Sequence, residues 1–303
     1  MSILISGSVA FDHILEFGGH FAEHILPGQL DKLSVSFLTP QMRSDYGGCA
    51  GNIAYAVRQL GGTALPLATV GQDGGHYLER LRQLGISTEH IAVANDCYTA
   101  QCTIVTDNRQ NQITAFHPGA MAQAHLNPVP QDKPIGVAIV SPNGKEAMQQ
   151  HAEQLHAAGI PFVFDPGQGM PMFNAEELQR LIDLATWTTL NEYEALLLCE
   201  KLGYDRAALS RQLRGLVVTL AESGCEVWRE GSCELVPAVA PAAVVDPTGC
   251  GDAWRGALLH GLEQGWPLER CAALGNRLGA LKIASRGPQN YQVDPVTLAL
   301  AGG

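Results

Sequence analysis

Short apolar segments alternate with segments of helical periodicity along most of the chain. The N-terminal segment SILISGSV is an apolar run that ends in small residues, and the segment ALPLATVG at positions 64–71 is mostly apolar. Between them, GNIAYAVRQLGG places Ile53, Val57 and Leu60 on one helical face, and the glycine pair ends the helix. Strands that are apolar on both faces are typical of a parallel sheet covered by helices. The pattern therefore predicts an α/β fold.

One region departs from this rhythm. Positions 97–117 read CYTAQCTIVTDNRQNQITAFH, which is two β-patterned segments joined by the polar turn DNRQN. Together with positions 10–17 and 33–40, these segments predict a small β-sheet apart from the main one. A small sheet over the strand ends of an α/β domain would act as a lid. We therefore predict a single domain over residues 1–303 with a β-lid.

Composition and charge restrict the partners of the protein. The chain has 303 residues, of which 46% are hydrophobic and 16% charged, and its formal net charge is -11. This charge disfavours nucleic acid and anionic membrane surfaces as partners. No apolar run reaches the roughly 18 residues that suggest a membrane span, and the N-terminus lacks the basic region of a signal peptide. We expect a cytoplasmic monomer or homodimer that acts on small molecules, and its eight cysteines are expected to be free thiols.

Candidate chemistry is concentrated in DPTGCGDAW at positions 246–254. Gly249, Cys250 and Gly251 precede a helical pattern, so their backbone N–H groups and the helix dipole would form an anion hole. Asp252 suits a base that removes a hydroxyl proton while this hole holds the group being transferred. A simpler interpretation of Asp252 alone is an acidic cap or first-turn residue.

Two glycine-rich turns supply polar groups for an acceptor. GSVAFD presents Asp12 after the first strand, and YGGCAGN places Gly48 and Asn52 at a helix start. A carboxylate and an amide suit two adjacent sugar hydroxyls, although a turn glycine and a helix cap are the alternative interpretation of these residues.

HFAEH at positions 20–24 matches a zinc-peptidase pattern, but its flanking glycines and proline allow too short a helix for that site. The chain contains neither GxxxxGK[ST] nor GxGxxG.

Taken together, the motifs resemble those of the ribokinase-like (pfkB) carbohydrate kinase family. They are, in order, GSVAFD, YGGCAGNIAYAVRQLGG, VGQDGG, LNEYEALLL, VVTLAESG and DPTGCGDAW. The segments FAEHILPGQLDKLSVSFL, NQITAFHPGAM and SRGPQNY are most similar to bacterial adenosine kinases. The resemblance implies a three-layer α/β/α fold with a central, mainly parallel sheet and a small β-lid. It also implies ATP-dependent phosphorylation of a purine nucleoside, above all adenosine, at the ribose 5′-hydroxyl in purine salvage.

The resemblance implies a role for individual residues as well. Asp252 would be the base, with an anion hole formed by Gly249, Cys250 and Gly251. The nucleoside would contact Ser8, Asp12, Ser36, Gly48, Asn52, Phe116 and Gln168. ATP would lie against Asn191, Thr219, Gly224, Asn276, Gly287 and Gln289, with Asn276 and the loop 287–289 beside its adenine. Glu194 would hold Mg²⁺ through water, and a monovalent cation such as K⁺ would bind Asp246, Thr248 and the backbone around Ser285.

Three positions depart from the family pattern. Cys250 stands where glycine or alanine is usual, and Ala221 replaces the first glycine of a TxGxxG motif. Cys102 stands where related adenosine kinases carry an aromatic residue, which predicts broader purine acceptance.

The alternatives to a nucleoside kinase are a sugar kinase of the ribose or fructose type and a catalytically silent nucleotide-binding regulator. Phe116 favours a nucleoside over a bare sugar, and the intact Asp252 favours catalysis over a silent protein.

Overall fold

A large and a small β-sheet form the framework of the computed structural model, which describes residues 1–25, 34–109 and 111–302. The strands are β1 (Ser2–Ser6), β2 (Ala10–Glu16), β3 (Gln41–Gly47), β4 (Ala64–Gly71), β5 (Ile91–Ala94), β6 (Ala100–Thr106), β7 (Gln112–His117), β8 (Ile135–Val140), β9 (Phe162–Phe164), β10 (Trp187–Asn191), β11 (Gly215–Thr219), β12 (Cys225–Arg229) and β13 (Ser232–Val236). The α-helices are α1 (Phe21–His24), α2 (Cys49–Gln59), α3 (Gly75–Gln83), α4 (Lys145–Ala157), α5 (Ala175–Leu184), α6 (Glu192–Leu202), α7 (Arg206–Ser210), α8 (Cys250–Glu263), α9 (Leu268–Ile283) and α10 (Pro295–Gly302). In the part of the chain that the structure describes, no helix combines the length and the apolar character needed to cross a membrane.

The nine strands of the large sheet are arranged in the order β13-β12-β11-β10-β9-β8-β1-β4-β5. The strands from β11 to β5 run parallel, and β12 and β13 add an antiparallel hairpin at one edge. From β1 the chain first builds β4 and β5 on one side, and then builds β8 and its successors on the other. Connections diverge where the order reverses, and this leaves a crevice at the carboxyl ends of β1 and β8.

Alternate residues of the central strands pack into opposite helical layers. In β1, Ile3 and Ile5 belong to a buried cluster that includes residues of α2, α3, α8 and α9. Leu4 belongs to a second cluster with residues of α4, α5, α6 and α7. Successive side chains of a strand point to opposite faces, so a strand covered on both sides must be apolar throughout. The three-layer α/β/α fold with a mainly parallel sheet is thus confirmed.

The small sheet has four strands in the order β3-β2-β6-β7. β2 pairs antiparallel with β3 and parallel with β6, while β6 and β7 form an antiparallel hairpin within positions 97–117. The strand expected at 33–40 is wrong, because the described residues 34–40 lie in no strand and the pairing segment is β3. Phe37 instead packs on Phe17 and Phe21, with ring centroids 5.0 and 5.1 Å away. Pro40, which has no N–H to donate, precedes the strand.

The HFAEH segment forms only the single turn α1. The carboxylate of Asp107 accepts a hydrogen bond from the backbone N–H of Phe21 (3.2 Å) and so holds the start of this turn. His20 precedes the turn in an extended conformation. A zinc pattern of this kind needs both histidines on one sustained helix, and the local structure does not supply it.

Helices α2 and α8 approach each other closely at Gly256. A Cβ at this position would lie 2.4 Å from the Cβ of Ala56 and 3.0 Å from the carbonyl oxygen of Ile53. Because the side chain is absent, the helices come close enough for Asn52 Nδ2 to lie 2.8 Å from Asp252 Oδ2. This glycine therefore positions two of the predicted site residues.

We expect Gly256→Ala to lower the free energy of unfolding by about 1–3 kcal/mol, since the added methyl group overpacks the interface. The matched control is Gly279→Ala in α9, where the new Cβ would meet only the Cys250 carbonyl oxygen, at 4.0 Å. The control should gain about 0.5–1 kcal/mol from helix propensity. Urea unfolding measures both changes, and equal stability of the two variants would contradict the packing argument.

Candidate active site

The carboxyl ends of the parallel strands bring most of the predicted site residues to one edge of the large sheet. Ser8 follows β1, Asp165 follows β9, Asn191 ends β10 and Thr219 ends β11. Asn191 and Thr219 are register partners and lie side by side. This edge is where ligands bind in open α/β sheets.

Asp252 lies in the first turn of α8, behind a tight glycine turn. Gly249 is the N-cap in a left-handed conformation (φ 79°), and a Cβ there would lie 2.6 Å from the Cβ of Pro288. The N–H of Cys250 donates to the Pro247 carbonyl (3.1 Å), so one donor of the predicted anion hole already has an acceptor within the loop. The remaining first-turn N–H groups and the helix dipole still favour an anion at this end.

Burial raises the pKa of the Asp252 carboxyl, while the hydrogen bond from Asn52 and the nearby Arg255 act in the opposite direction. The bond from Asn52 Nδ2 to Oδ2 also fixes the orientation of the carboxylate. A buried carboxylate with increased proton affinity is suited to accept a proton near neutral pH. Asp252 is therefore both a first-turn acid and a candidate base.

Arg255 is a functional candidate that the sequence analysis missed. It lies one helical turn beyond Asp252, it is buried, and its Nη2 donates to Asp165 Oδ1 at 2.9 Å. The same nitrogen is 3.9 Å from Glu194 Oε2. Burial raises the pKa of both Asp165 and Glu194, and Arg255 acts to lower them. The i, i+3 spacing from Asp252 was a usable signal, since residues so spaced share a helical face.

The segment from Asn191 to Glu194 begins α6 with a reciprocal capping box. Asn191 Oδ1 accepts the N–H of Glu194, and Glu194 Oε2 accepts the N–H of Asn191, both at 2.8 Å. Asn191 and Glu194 thus satisfy two free donors at the helix start, as Asn/Ser/Thr-x-x-Glu sequences commonly do. The capping box also holds the Glu194 carboxylate near Arg255, so the structural and the predicted functional roles are compatible.

A hydrogen-bond chain supports Asn52 from the side away from Asp252. Gln289 Nε2 donates to Asn52 Oδ1 (3.0 Å) and to the Tyr77 hydroxyl (2.7 Å), and Tyr77 donates to the Gly47 carbonyl (2.6 Å). Gln289 is only 3% exposed. Its amide donates to groups inside the protein on the acceptor side, and its expected position beside the adenine of ATP stays a prediction.

Asp12 lies in a row of side chains on one face of the small sheet. Its register partners are Asp45 on β3 and Cys102 on β6, and Cys102 in turn pairs with Phe116 on β7. Cross-strand partners point to the same face. A carboxylate and an exposed aromatic ring thus share the face of the predicted lid, with a cysteine between them.

The pKa of Asp12 is raised to about 6. Burial is the largest cause, the negative charges of Asp45 and Asp252 add to it, and Arg43 acts to lower it. A Cβ on Gly47, which directly precedes the N-cap of α2, would lie 2.2 Å from Asp12 Oδ2, so the Asp12 carboxyl lies beside the start of α2.

The remaining acceptor residues differ in their environment. Ser8 is buried and its Oγ accepts the N–H of Cys49 (3.1 Å), so it caps the start of α2. Gly48 is the N-cap of that helix with φ 83°. Ser36 and Gln168 are exposed at the surface. The structure gathers Asp12, Gly48 and Asn52 but leaves the contribution of Ser36 and Gln168 a prediction.

On the predicted ATP side, the amide of Asn276 is fully used within the fold. Its Oδ1 accepts from Trp254 Nε1 (2.9 Å), and its Nδ2 donates to the carbonyls of Val236 (3.1 Å) and Pro237 (2.9 Å). Gly224 has φ 97°, and a Cβ there would lie 2.2 Å from the Val236 carbonyl oxygen. Asn276 and Gly224 therefore shape the loop after β13, and their expected contacts with ATP stay predictions.

Asp246, where a monovalent cation is expected to bind, accepts several hydrogen bonds within the protein. The Asp246 carboxylate accepts the N–H groups of Thr248 and Gly287, both at 2.9 Å, and Nη2 of Arg43 at 3.2 Å. Burial acts to raise its pKa, but these N–H groups and the nearby Lys282 lower it to about 2. The carbonyls of Asp246 and Ser285 accept from Lys282 Nζ. Two side-chain cations, Lys282 and Arg43, thus bond to Asp246 where a free monovalent cation is expected.

Residues 20–294 match the sequence model of the pfkB family of carbohydrate kinases. The nucleoside kinase of Methanocaldococcus jannaschii is 28% identical, over 84% of this chain and 85% of that protein. The solved structure of Burkholderia thailandensis nucleoside kinase in complex with inosine is 46% identical with a TM-score of 0.88, and the match covers 98% of this chain and 95% of that one. A structure of the same protein in complex with ADP-inosine is 47% identical, has a TM-score of 0.86 and covers 99% of this chain and 95% of that one. Adenosine kinase from Sinorhizobium meliloti is 26% identical with a TM-score of 0.79, over 99% and 98% of the two chains.

We predict that Asp12→Asn stabilises the protein at alkaline pH. The native carboxyl titrates near 6 instead of 3.8, so the native state holds its proton more tightly than the unfolded chain does. Stability therefore falls as the pH rises from about 4 to about 6, and the penalty is complete above that range. Asparagine carries no charge, so the thermal midpoint should rise by about 2–6 °C at pH 8 and remain unchanged near pH 3.5.

Asp73→Asn is the control of opposite sign for this pH prediction. Bonds from the N–H and hydroxyl of Thr99 lower the pKa of Asp73 despite the opposing effect of burial. This variant should lose stability at pH 8. A lower midpoint for Asp12→Asn at pH 8 would show that the carboxylate stabilises the fold, contrary to its raised pKa.

Proposed function

The chain belongs to the pfkB family of carbohydrate kinases, and we propose that it phosphorylates the ribose 5′-hydroxyl of a purine nucleoside. As a member of this family it is an ATP-dependent phosphotransferase that acts on a hydroxyl group. Adenosine is the acceptor we favour first, with inosine next. The single observation that carries the proposal is the hydrogen bond between Asn52 and Asp252 at the start of α8.

In the proposed reaction, Asp252 takes the proton of the acceptor hydroxyl. As the hydroxyl oxygen bonds to the γ-phosphorus, the bond from that phosphorus to the ADP oxygen breaks and the electron pair leaves with ADP. The raised pKa of Asp252 increases its proton affinity, and the bond from Asn52 fixes its direction. Such a base contributes typically 10²–10⁴-fold to the rate.

Positive charge at the site must be local, since the chain has a formal net charge of -11. The start of α8 supplies backbone N–H groups and the helix dipole, and Arg255 supplies a buried guanidinium among Asp165 and Glu194. Mg²⁺ would arrive with ATP and neutralise charge on its phosphates, and the fixed Glu194 carboxylate fits the role of holding its water shell. Phosphoryl transfer needs little beyond such positioning and charge stabilisation.

The small sheet supports a nucleoside in preference to a bare sugar. Phe116 is 53% exposed and shares a sheet face with Asp12. A ribose held at Asp12 therefore leaves the phenyl ring of Phe116 available to stack on the nucleobase. Cys102, between them, stacks less well than an aromatic residue, which supports broader acceptance of purines. Inosine is the ligand of the B. thailandensis neighbour.

A first test compares acceptors by ADP release over adenosine, inosine, guanosine, cytidine, ribose and fructose. We expect kcat/KM for the purine nucleosides to exceed that for ribose and fructose by at least about 100-fold, because a site shaped for a base leaves contacts unmade with a sugar. Equal or better use of ribose or fructose would favour the sugar-kinase alternative. Absence of ADP release with every acceptor, while ATP still binds, would favour the silent regulator.

Phe116→Ala tests the base-binding face directly. Loss of stacking should raise KM for nucleosides about 10-fold or more, without changing the use of ribose. Ile113→Ala is the matched control, because Ile113 is also exposed on β7 but its odd spacing from Phe116 places it on the opposite face. If both variants behave alike, Phe116 has no specific role.

Asp252→Asn should keep the affinity for ATP and lower kcat by at least ~100-fold, the usual contribution of a general base. The amide is nearly isosteric but accepts no proton at neutral pH. Single-turnover measurements with saturating nucleoside separate the chemical step from binding. Turnover close to that of the wild type would remove Asp252 from the proposed role.

A further inference from the structure

Lys282, near the end of α9, has the most deeply buried ammonium group near the candidate site. The residue is 0% exposed, and its Nζ donates to the carbonyl oxygens of Asp246 (2.7 Å) and Ser285 (3.1 Å). Burial lowers its pKa, and the neighbouring Asp246 acts to raise it. A lysine buried at this cost and bonded to two loop carbonyls calls for an explanation beyond helix packing.

The two carbonyls belong to the two segments that enclose the start of α8. Asp246 begins the DPTGCGD turn, whereas Ser285 lies in the loop that follows α9. The Asp246 carboxylate joins the same segments by accepting the N–H groups of Thr248 and Gly287. Carbonyl and carboxylate oxygens form the hard ligand set that a monovalent cation prefers, and here the ammonium of Lys282 takes the carbonyls.

Charge at this point is already balanced by side chains. Arg43 on β3 donates to Asp246 Oδ2 (3.2 Å) and also pairs with Asp45 (3.2 Å). A free cation added here would lie beside both the ammonium of Lys282 and the guanidinium of Arg43, and like charges at such distances repel strongly where water is scarce. The arrangement therefore disfavours K⁺ at the position where the family resemblance implies it.

We propose that the Lys282 ammonium is a tethered replacement for a monovalent cation, so that this kinase works without K⁺. It holds the turn at 246–249 and the loop at 285–287 together and so fixes the start of α8, where Asp252 lies. Because the ammonium is covalently attached, its effective concentration at the site does not depend on the salt in solution. The inference rests on the kinase activity of the proposed function and does not depend on which acceptor is used.

The first experiment measures turnover of the wild-type enzyme in chloride salts of K⁺, Na⁺, NH₄⁺ and tetramethylammonium at constant ionic strength. We expect the rates in all four salts to agree within about 2-fold, because no site for a free ion has to be filled. Activation by K⁺ of about 10-fold or more over tetramethylammonium would overturn the proposal. This measurement needs no variant, and it uses whichever acceptor of the panel gives the highest rate.

The second experiment removes the ammonium. Lys282→Ala should lower kcat by about 10-fold or more in tetramethylammonium and regain much of it in K⁺ or NH₄⁺, while the wild type shows no such response. Lys201→Ala is the matched control, since Lys201 Nζ also donates to a backbone carbonyl, that of Phe173 (2.9 Å), away from this site. A folded Lys282→Ala protein whose rate is low and equal in every salt would show that Lys282 is only a packing residue, and the proposal would be overturned.

Thermal unfolding gives a readout that does not require activity. The midpoint of Lys282→Ala should rise in K⁺ or NH₄⁺ relative to tetramethylammonium, because an ion that binds only the native state stabilises it. Wild type and Lys201→Ala should show no difference. If no acceptor is phosphorylated, the proposed function fails while this measurement still decides the inference: an equal midpoint of Lys282→Ala in all salts overturns it.

Discussion

The hydrogen bond from Asn52 to Asp252 is the contact on which the rest of the site depends, because it joins the two helices to which we assign acceptor binding and proton transfer. It requires the close approach of α2 and α8 that Gly256 allows. Its other end is held by Gln289, which also bonds Tyr77. A buried polar network is stable only when its members satisfy one another, so a change at any of them alters the geometry of the carboxylate.

Charge at the site opposes the stability of the fold. Arg255 lies among Asp165, Glu194 and Asp252, and removal of its guanidinium would leave these buried carboxylates without a countercharge. The burial that disfavours ionised Asp252 is also what increases its proton affinity. A fully solvated aspartate would cost less on folding and would be a weaker base. The cluster is therefore best understood as a destabilising feature that the surrounding α/β framework tolerates for function.

Local sequence patterns predicted the framework better than the contacts within the site. Mostly apolar strands such as β4 indicated the covered parallel sheet, and the topology of that sheet then placed the strand ends together. The strand predicted at 33–40 is wrong, because Phe37 joins an aromatic cluster instead of a strand. Gln289 is 237 positions from Asn52, so no spacing rule connects them. Arg255, three positions after Asp252, was within reach of a helical-face argument.

Lys282 in α9 makes another contact that no local sequence pattern indicates. Its partner Asp246 is 36 positions away, and only the packing of α9 on α8 brings the ammonium to the turn before Asp252. A free ion must lose water each time it binds, whereas a buried lysine incurs that cost once, on folding. The cost then falls on the stability and register of α9, since a shift of one residue would move the ammonium out of reach of both carbonyls. The register of α9 is thus constrained by the candidate site, because the Lys282 ammonium donates to the carbonyls of the two loops beside it.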